Sequence, residues 1–198
     1  MLSIPKTALL VILAFVSFLG AVVIYKYWYP PYLVIKDSEI ATEVNLQTNF
    51  GPILIAVNPK NRFAAAQFTR FVKSGFYDGM RIHRTVPNLL VEMGDPLSRD
   101  PALRSLWGQG GSASVFRNEA GPFDQMEEGV VAFSGSNLGT YGSQFFIVTK
   151  TTSWLAGKHT IIGKVKLGMD VVEKIESVPV DSTGRPVSDI IVTSVTWL

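Results

Sequence analysis

Hydrophobic and polar positions divide the 198-residue chain into two regimes. Ala8 to Ile24 (ALLVILAFVSFLGAVVI) is one uncharged apolar run, followed by Tyr25-Lys26-Tyr27-Trp28-Tyr29. A run of about 17–25 apolar residues can cross the hydrocarbon core as a helix, and Lys26 with its aromatic neighbours suits an interfacial belt. A cleaved signal peptide is the competing reading. Its apolar stretch is shorter and ends in a small-x-small site, of which Leu19-Gly20-Ala21 is a poor version. The pattern therefore predicts a single transmembrane anchor over residues 1–29 and a stiff spacer over 30–41 that begins with Pro30-Pro31. The tail before the anchor is short, so the expected orientation puts the C-terminal bulk on the non-cytoplasmic side.

From Thr42 onward the pattern changes to short apolar runs broken by turn residues. TEVNLQTN and PILIAVN read as two strands joined near Asn49-Phe50-Gly51. Arg62 to Ser74 reads as a helix: Ala64, Phe68, Phe71 and Val72 fall at i, i+4, i+7 and i+8, and Gly75 follows as a stop. Strands resume with MRIHRTV, LLVEMG, VVAFS, QFFIVT and TIIGKV; a second helix, MDVVEKIES, and a last strand within VSDIIVTSVTW close the chain. Many short strands with two helices favour an all-β barrel or sandwich over a parallel sheet, in one domain over 42–198.

Composition then removes several chemistries. There is no cysteine, which excludes disulfides and thiolate catalysis. The formal charge is +2 with basic and acidic residues interspersed, so no nucleic-acid surface is expected. His83 and His159 are far apart and have no close ligand pair, so no metal site is expected. Gly108 to Ala113 (GQGGSA) fits a loose dinucleotide pattern, but no helix follows it, and it reads as a flexible loop. No G-x-S-x-G occurs. What remains is a set of polar residues embedded in apolar strands: Arg84, Glu92, Gln144, Trp154 and His159. With Phe145-Phe146 they would line an apolar groove bearing a few hydrogen-bonding groups.

At these residues the chain resembles the cyclophilins. FVKSGFYDGMRIHRTVPNLLVEMGDP is similar to their Y-x-G followed by F-H-R-v-I-P-x-F-M-x-Q-G-G-D. GTYGSQFFIVTKTTSWLAGKHTIIGKVKLGMDVVEKIE is similar to N-G-S-Q-F-F-I-x-x-x-x-x-x-W-L-D-G-K-H-x-x-F-G-x-V followed by G-M-d-V-V. The likeness runs from about Thr42 to Leu198. It implies a closed eight-stranded antiparallel barrel capped by two helices, and peptidyl-prolyl cis-trans isomerase activity in an outer groove, without a cofactor. It further implies Arg84 as the catalytic arginine and Gln144 as a group binding substrate backbone. Phe146, Leu155 and His159 would wall a proline pocket, with Leu89 and Leu90 where the family has Phe-Met. Ser134-Gly135 stand where Ala-Asn is usual. Trp154 matches a tryptophan that contacts cyclosporin in many members. The implied partners are Pro-containing polypeptides and cyclosporin-like cyclic peptides, with the chain a monomer.

The main departure is Glu92, where the family has glutamine. A carboxylate beside Arg84 would hold it in an ion pair and compete with substrate for its N–H groups, which implies turnover below that of a typical member. Met93, in place of the first glycine of G-G-D, is expected to restrict the backbone there. The alternative reading is a binding or scaffolding module for proline peptides with little or no turnover.

Overall fold

The computed structural model describes residues 36–113, 116–135 and 140–198. The expected anchor over 1–29 and most of the spacer lie outside the described residues; of the spacer, Asp37–Glu39 form a single 3-10 turn. No helix among the described residues is long and apolar enough to cross a membrane.

Nine strands are described: β1 (Glu43–Thr48), β2 (Gly51–Val57), β3 (Arg84–Val86), β4 (Leu90–Met93), β5 (Phe116–Arg117), β6 (Val130–Gly135), β7 (Thr140–Val148), β8 (Ile161–Leu167) and β9 (Val192–Trp197). Helix α1 is Arg62–Lys73 and α2 is Met169–Glu176. All pairings are antiparallel, in the order β3-β4-β7-β6-β8-β2-β1-β9, with β5 added to β7.

The closed eight-stranded barrel expected from the family resemblance is here a curled sheet whose ladder stops between β3 and β9. At that seam one bridge, Arg81 to Ile191, and hydrogen bonds such as Ile82 N–H to the Ile190 carbonyl (2.9 Å) join the two edges. The reason is local. Farther along β3 the Thr85 N–H donates to the Gly184 carbonyl (2.8 Å), so the turn after α2 occupies the edge a strand would need.

The interior is filled by residues from every wall, among them Leu46, Ile53, Ile55, Phe133, Phe145, Ile147 and Val195. Helix α1 closes one end. Its Phe68 packs edge-on against Phe145 (5.4 Å between centroids) and Phe133 (6.3 Å). The helix ends as its sequence requires: the N–H groups of Gly75 and Phe76 return to the carbonyls of Val72 and Phe71, and Gly75 takes the left-handed φ of 65° that this ending needs. At the start of α1 the Asn61 side chain makes no cap. The Glu119 carboxylate instead accepts from the Ala64 N–H (2.7 Å), an anion at the positive end of the helix.

Helix α2 turns Val171, Val172 and Ile175 inward. Between the strands and the glycine loop lie two 3-10 segments, Pro96–Arg99 and Pro101–Leu106, each capped by the aspartate before its proline. The sequence pattern does not disclose them, because neither has an apolar period.

Candidate active site

The β3–β4 hairpin is set by Val86-Pro87-Asn88-Leu89. Leu89 N–H returns to the Val86 carbonyl (3.1 Å), with proline at the second position and Asn88 at φ 57°, a type II turn. That turn fixes the register, Val86 opposite Leu90 and Arg84 opposite Glu92. Register then continues across the sheet: Glu92 faces Phe146, and Phe146 faces Ala132. Because side chains alternate faces along a strand, Arg84, Glu92, Phe146 and Ala132 form one row on the outer face.

On one side of this row the outer face is apolar. Leu90, Met126, Val130, Ala132, Phe146, Val148 and Leu155 form a second buried cluster, separate from the interior, with Leu89, Val86 and Ile161 packed against it. The 3-10 turn Ser153–Leu155 buries Leu155 and leaves Trp154 60% exposed at the rim. His159 lies edge-on to Phe146 (5.1 Å), and its Nδ1 is 3.1 Å from the Phe133 carbonyl. Burial holds the imidazole below its ordinary range, opposed in part by the Phe133 carbonyl and the charge of Glu92. His159 therefore presents a neutral ring to an apolar wall near pH 7.

On the other side lies a hollow of about 650 Å³. Its walls include Arg84, Glu92, Ser134, Gly135 and Gln144. Arg84 stands between the two. Its side chain is 47% exposed and that of Glu92 only 8%, with Nη1 of Arg84 3.2 Å from Oε2 of Glu92. The other Glu92 oxygen accepts from the Ser134 hydroxyl. The carboxylate is thus anchored below the surface, and it fixes one corner of a guanidinium whose face is open to solvent. This satisfied arrangement is what a buried charge requires.

Arg84, Glu92, Leu89, Leu90, Ser134, Gln144, Phe146, Trp154, Leu155 and His159 fall on this face. Phe145, expected beside Phe146 in the groove, alternates instead to the interior and packs on Phe68. The Gln144 amide donates to the carbonyls of Gly108 (3.1 Å) and Gly110, which ties it to the glycine loop. That loop is not a free one. Asp95, fully buried, accepts from the N–H groups of Gly108 and Gly110 (3.1 Å), and a Cβ on Gly110 would fall within 2.2 Å of its oxygen. The expected backbone restriction at Met93 is not where the constraint lies. Met93 is a buried strand residue of the interior, and the special conformation belongs to Gly94, at φ 94° with its α-carbon against the Ser143 carbonyl.

Sequence reading missed Met126, Val148 and Ile161 of the apolar side, and Thr183 and Arg185 of the hollow. A usable signal existed for Val148: FFIV is an unbroken apolar run, and a strand without alternation is buried on both faces. His83, weighed in the sequence only as a metal ligand, is also part of the hollow. Its side chain is 2% exposed, and neither ring nitrogen has a hydrogen-bond partner among the described residues. Burial depresses its pKa.

The geometry agrees with three comparisons. The profile of the family "Cyclophilin type peptidyl-prolyl cis-trans isomerase/CLD" matches residues 43–197. "Peptidyl-prolyl cis-trans isomerase-like 1" of Aspergillus fumigatus is 33% identical over 153 residues, covering 76% of this chain and 92% of that protein. "Peptidyl-prolyl cis-trans isomerase-like 2" of Cryptococcus neoformans is 36% identical over 171 residues, which are 82% of this chain but only 28% of the relative. The chain therefore spans about a quarter of that longer protein. Among solved structures, a cyclophilin-type isomerase of Cryptosporidium parvum superimposes with a TM-score of 0.71 at 23% identity, over 80% of this chain and 98% of that one. A second structure of it, determined in the presence of the dipeptide Ala-Pro, gives 0.70 at 24%, over 79% and 98%. An arginine at the edge of an apolar patch, on the outer face of a curled antiparallel sheet and within a matching family profile, places the chain in the cyclophilin-type peptidyl-prolyl cis-trans isomerase family.

Proposed function

We propose that this chain catalyses cis-trans isomerisation of X–Pro bonds in unfolded or extended polypeptides, as a folding helper. The observation that carries the reading is the position of Arg84, directly beside an apolar surface and with its face open. An X–Pro bond turns over tens to hundreds of seconds because twisting the amide breaks its resonance. No covalent step is needed. The catalyst has to hold the proline ring and stabilise the twisted amide, whose nitrogen regains its lone pair. The ring would rest where Phe146, Leu155, Leu90 and His159 meet. An Arg84 N–H would donate to the nitrogen in the twisted state and find no comparable acceptor in the planar one. That difference is the catalysis. A single charge-assisted hydrogen bond is worth about 1.5–3 kcal/mol net, about ten- to 150-fold in rate. Restriction of the substrate on the groove supplies the rest.

The Arg84–Glu92 pair favours a second reading, in which the groove binds proline peptides with little turnover, because a carboxylate 3.2 Å away offsets the charge that catalysis uses. A protease-coupled assay on an X–Pro peptide separates the two. The isomerase reading expects the cis fraction to be cleaved faster in proportion to protein concentration. Saturable peptide binding with no such acceleration selects the binding module.

The exposed Trp154 supports capture of cyclosporin-like cyclic peptides at the rim. The apolar run of residues 8–24 supports a single-pass anchor over 1–29, with a 30–41 spacer holding the domain of 42–198 at the non-cytoplasmic face. Protease accessibility in intact vesicles tests that sidedness.

A further inference from the structure

The hollow beside Arg84 holds a second arginine that isomerisation as described does not use. Arg185 and Thr183 reach it from the turn after α2, across from the glycine loop. The turn is firmly built. The Asp181 carboxylate accepts from the N–H groups of Thr183 (2.8 Å) and Arg185 (3.1 Å) and from the Thr183 hydroxyl (2.6 Å). Gly184, at φ 81°, lets the turn lie on β3: a Cβ there would be 3.1 Å from the Thr85 carbonyl oxygen and 3.6 Å from Cγ of Arg84. Arg185 and the stem of Arg84 are therefore neighbours on one wall.

The charges of the hollow do not cancel. The Arg185 guanidinium donates to the Thr183 hydroxyl oxygen (2.8 Å) and to the carbonyls of Trp107 (3.0 Å) and Ser105 (3.3 Å), all of them neutral. Among the described residues it makes no ion pair. Glu92, the carboxylate of the hollow, is held by Arg84 and Ser134. Asp181, exposed, is turned to backbone N–H groups and the Thr183 hydroxyl; it feels the charge of Arg185 but makes no ion pair with it. His83 is buried and favoured neutral. A guanidinium already fixed by three acceptors loses little freedom on engaging a further anion, and its remaining N–H groups suit a carboxylate.

We infer that Arg185 is a specificity residue, selecting polypeptide segments that carry a carboxylate side chain within a few residues of the proline. The inference rests on the isomerase reading and names the substrates of that same site. Because the guanidinium is only half-buried, the preference is moderate and weakens with salt.

The test uses the full chain and short peptides of one neutral sequence around a central proline, with Glu, Gln or Lys placed two residues before or two residues after it. Exchange rates are read by NMR without a protease, and affinities by titration on the same samples. At low salt, kcat/KM for the best Glu peptide is expected to exceed that of its Lys counterpart about tenfold, with Gln between them. This gap should shrink severalfold at salt of about 0.5 M, where the screening length is only a few ångströms. In Arg185→Met the Glu-to-Lys ratio should collapse towards one, and in Arg185→Lys part of it should survive; a ratio is insensitive to any loss of folded protein. Equal rates and affinities for the three peptides overturn the inference, as does a ratio unchanged in Arg185→Met. If the Gln peptide is accelerated without any preference for Glu, Arg185 selectivity fails while the isomerase reading stands. If Glu peptides bind preferentially and none is accelerated, the isomerase reading fails and the selectivity stands.

Discussion

Arg84 is paired at 3.2 Å with Glu92, a carboxylate where the resemblance to the cyclophilins implies an amide. A glutamine at 92 could accept from Arg84 through its carbonyl oxygen while its NH2 donates to the Ser134 hydroxyl oxygen, and would leave the guanidinium uncompensated. Glu92→Gln is therefore expected to raise kcat/KM about three- to tenfold, equal to about 0.7–1.4 kcal/mol. An unchanged or lower rate in a peptide isomerase assay would mean that the ion pair orients Arg84 more than it weakens it. His83 makes a different prediction. Its folded pKa lies below the ordinary value of about 6.5, so the unfolded chain binds the proton more readily. Its stabilising neutral form is retained above that value, and stability is lost as pH falls from about 6.5 downward. His159 shifts in the same direction. Thermal unfolding should move to lower temperature between about pH 7 and 5.5, above the range where carboxylates titrate, and less so in His83→Gln. An identical pH dependence in that variant would assign the effect elsewhere.

Among the elements, the hairpins and helices were legible because their signals are local. Asn49-Phe50 joins β1 to β2, Gly75 ends α1, and Gly168 opens α2. The patterning also carried more than element type. β1 alternates half-exposed and buried positions, whereas β4 is buried throughout. The second pattern marks where the outer face is covered, which is where the groove lies. The seam between β3 and β9 was not legible, since it depends on the turn at Gly184 competing for the Thr85 N–H. Nor was the fastening of the glycine loop, which needs Asp95, at the start of the first 3-10 segment, and Gln144 of β7, far apart in sequence. Gly94 ties β4 to β7 at this point. A Cβ there would lie 2.5 Å from the Ser143 carbonyl oxygen, at a φ that other residues avoid. Gly94→Ala is expected to cost on the order of 3 kcal/mol, lowering Tm by about 6–12 °C. A Tm within about 2 °C of the parent would show that the two strands can separate at low cost.

For the molecule as a whole, the apolar interior and the apolar groove are distinct clusters on opposite faces of one sheet. The interior fixes the strands, and strand register alone then lines up Arg84, Glu92 and Phe146 on the surface. The site is thus rigid by construction, as a catalyst that works through a positioned cation requires. The most direct test of this account is the NMR exchange rate of an X–Pro peptide with the parent chain, with Arg84→Ala, and with Arg84→Ala/Glu92→Gln, which avoids leaving a buried carboxylate unpaired. The parent should accelerate exchange, and both variants should lose about ten- to 150-fold in kcat/KM while the double variant keeps its Tm. Acceleration by the folded double variant equal to that of the parent would contradict it.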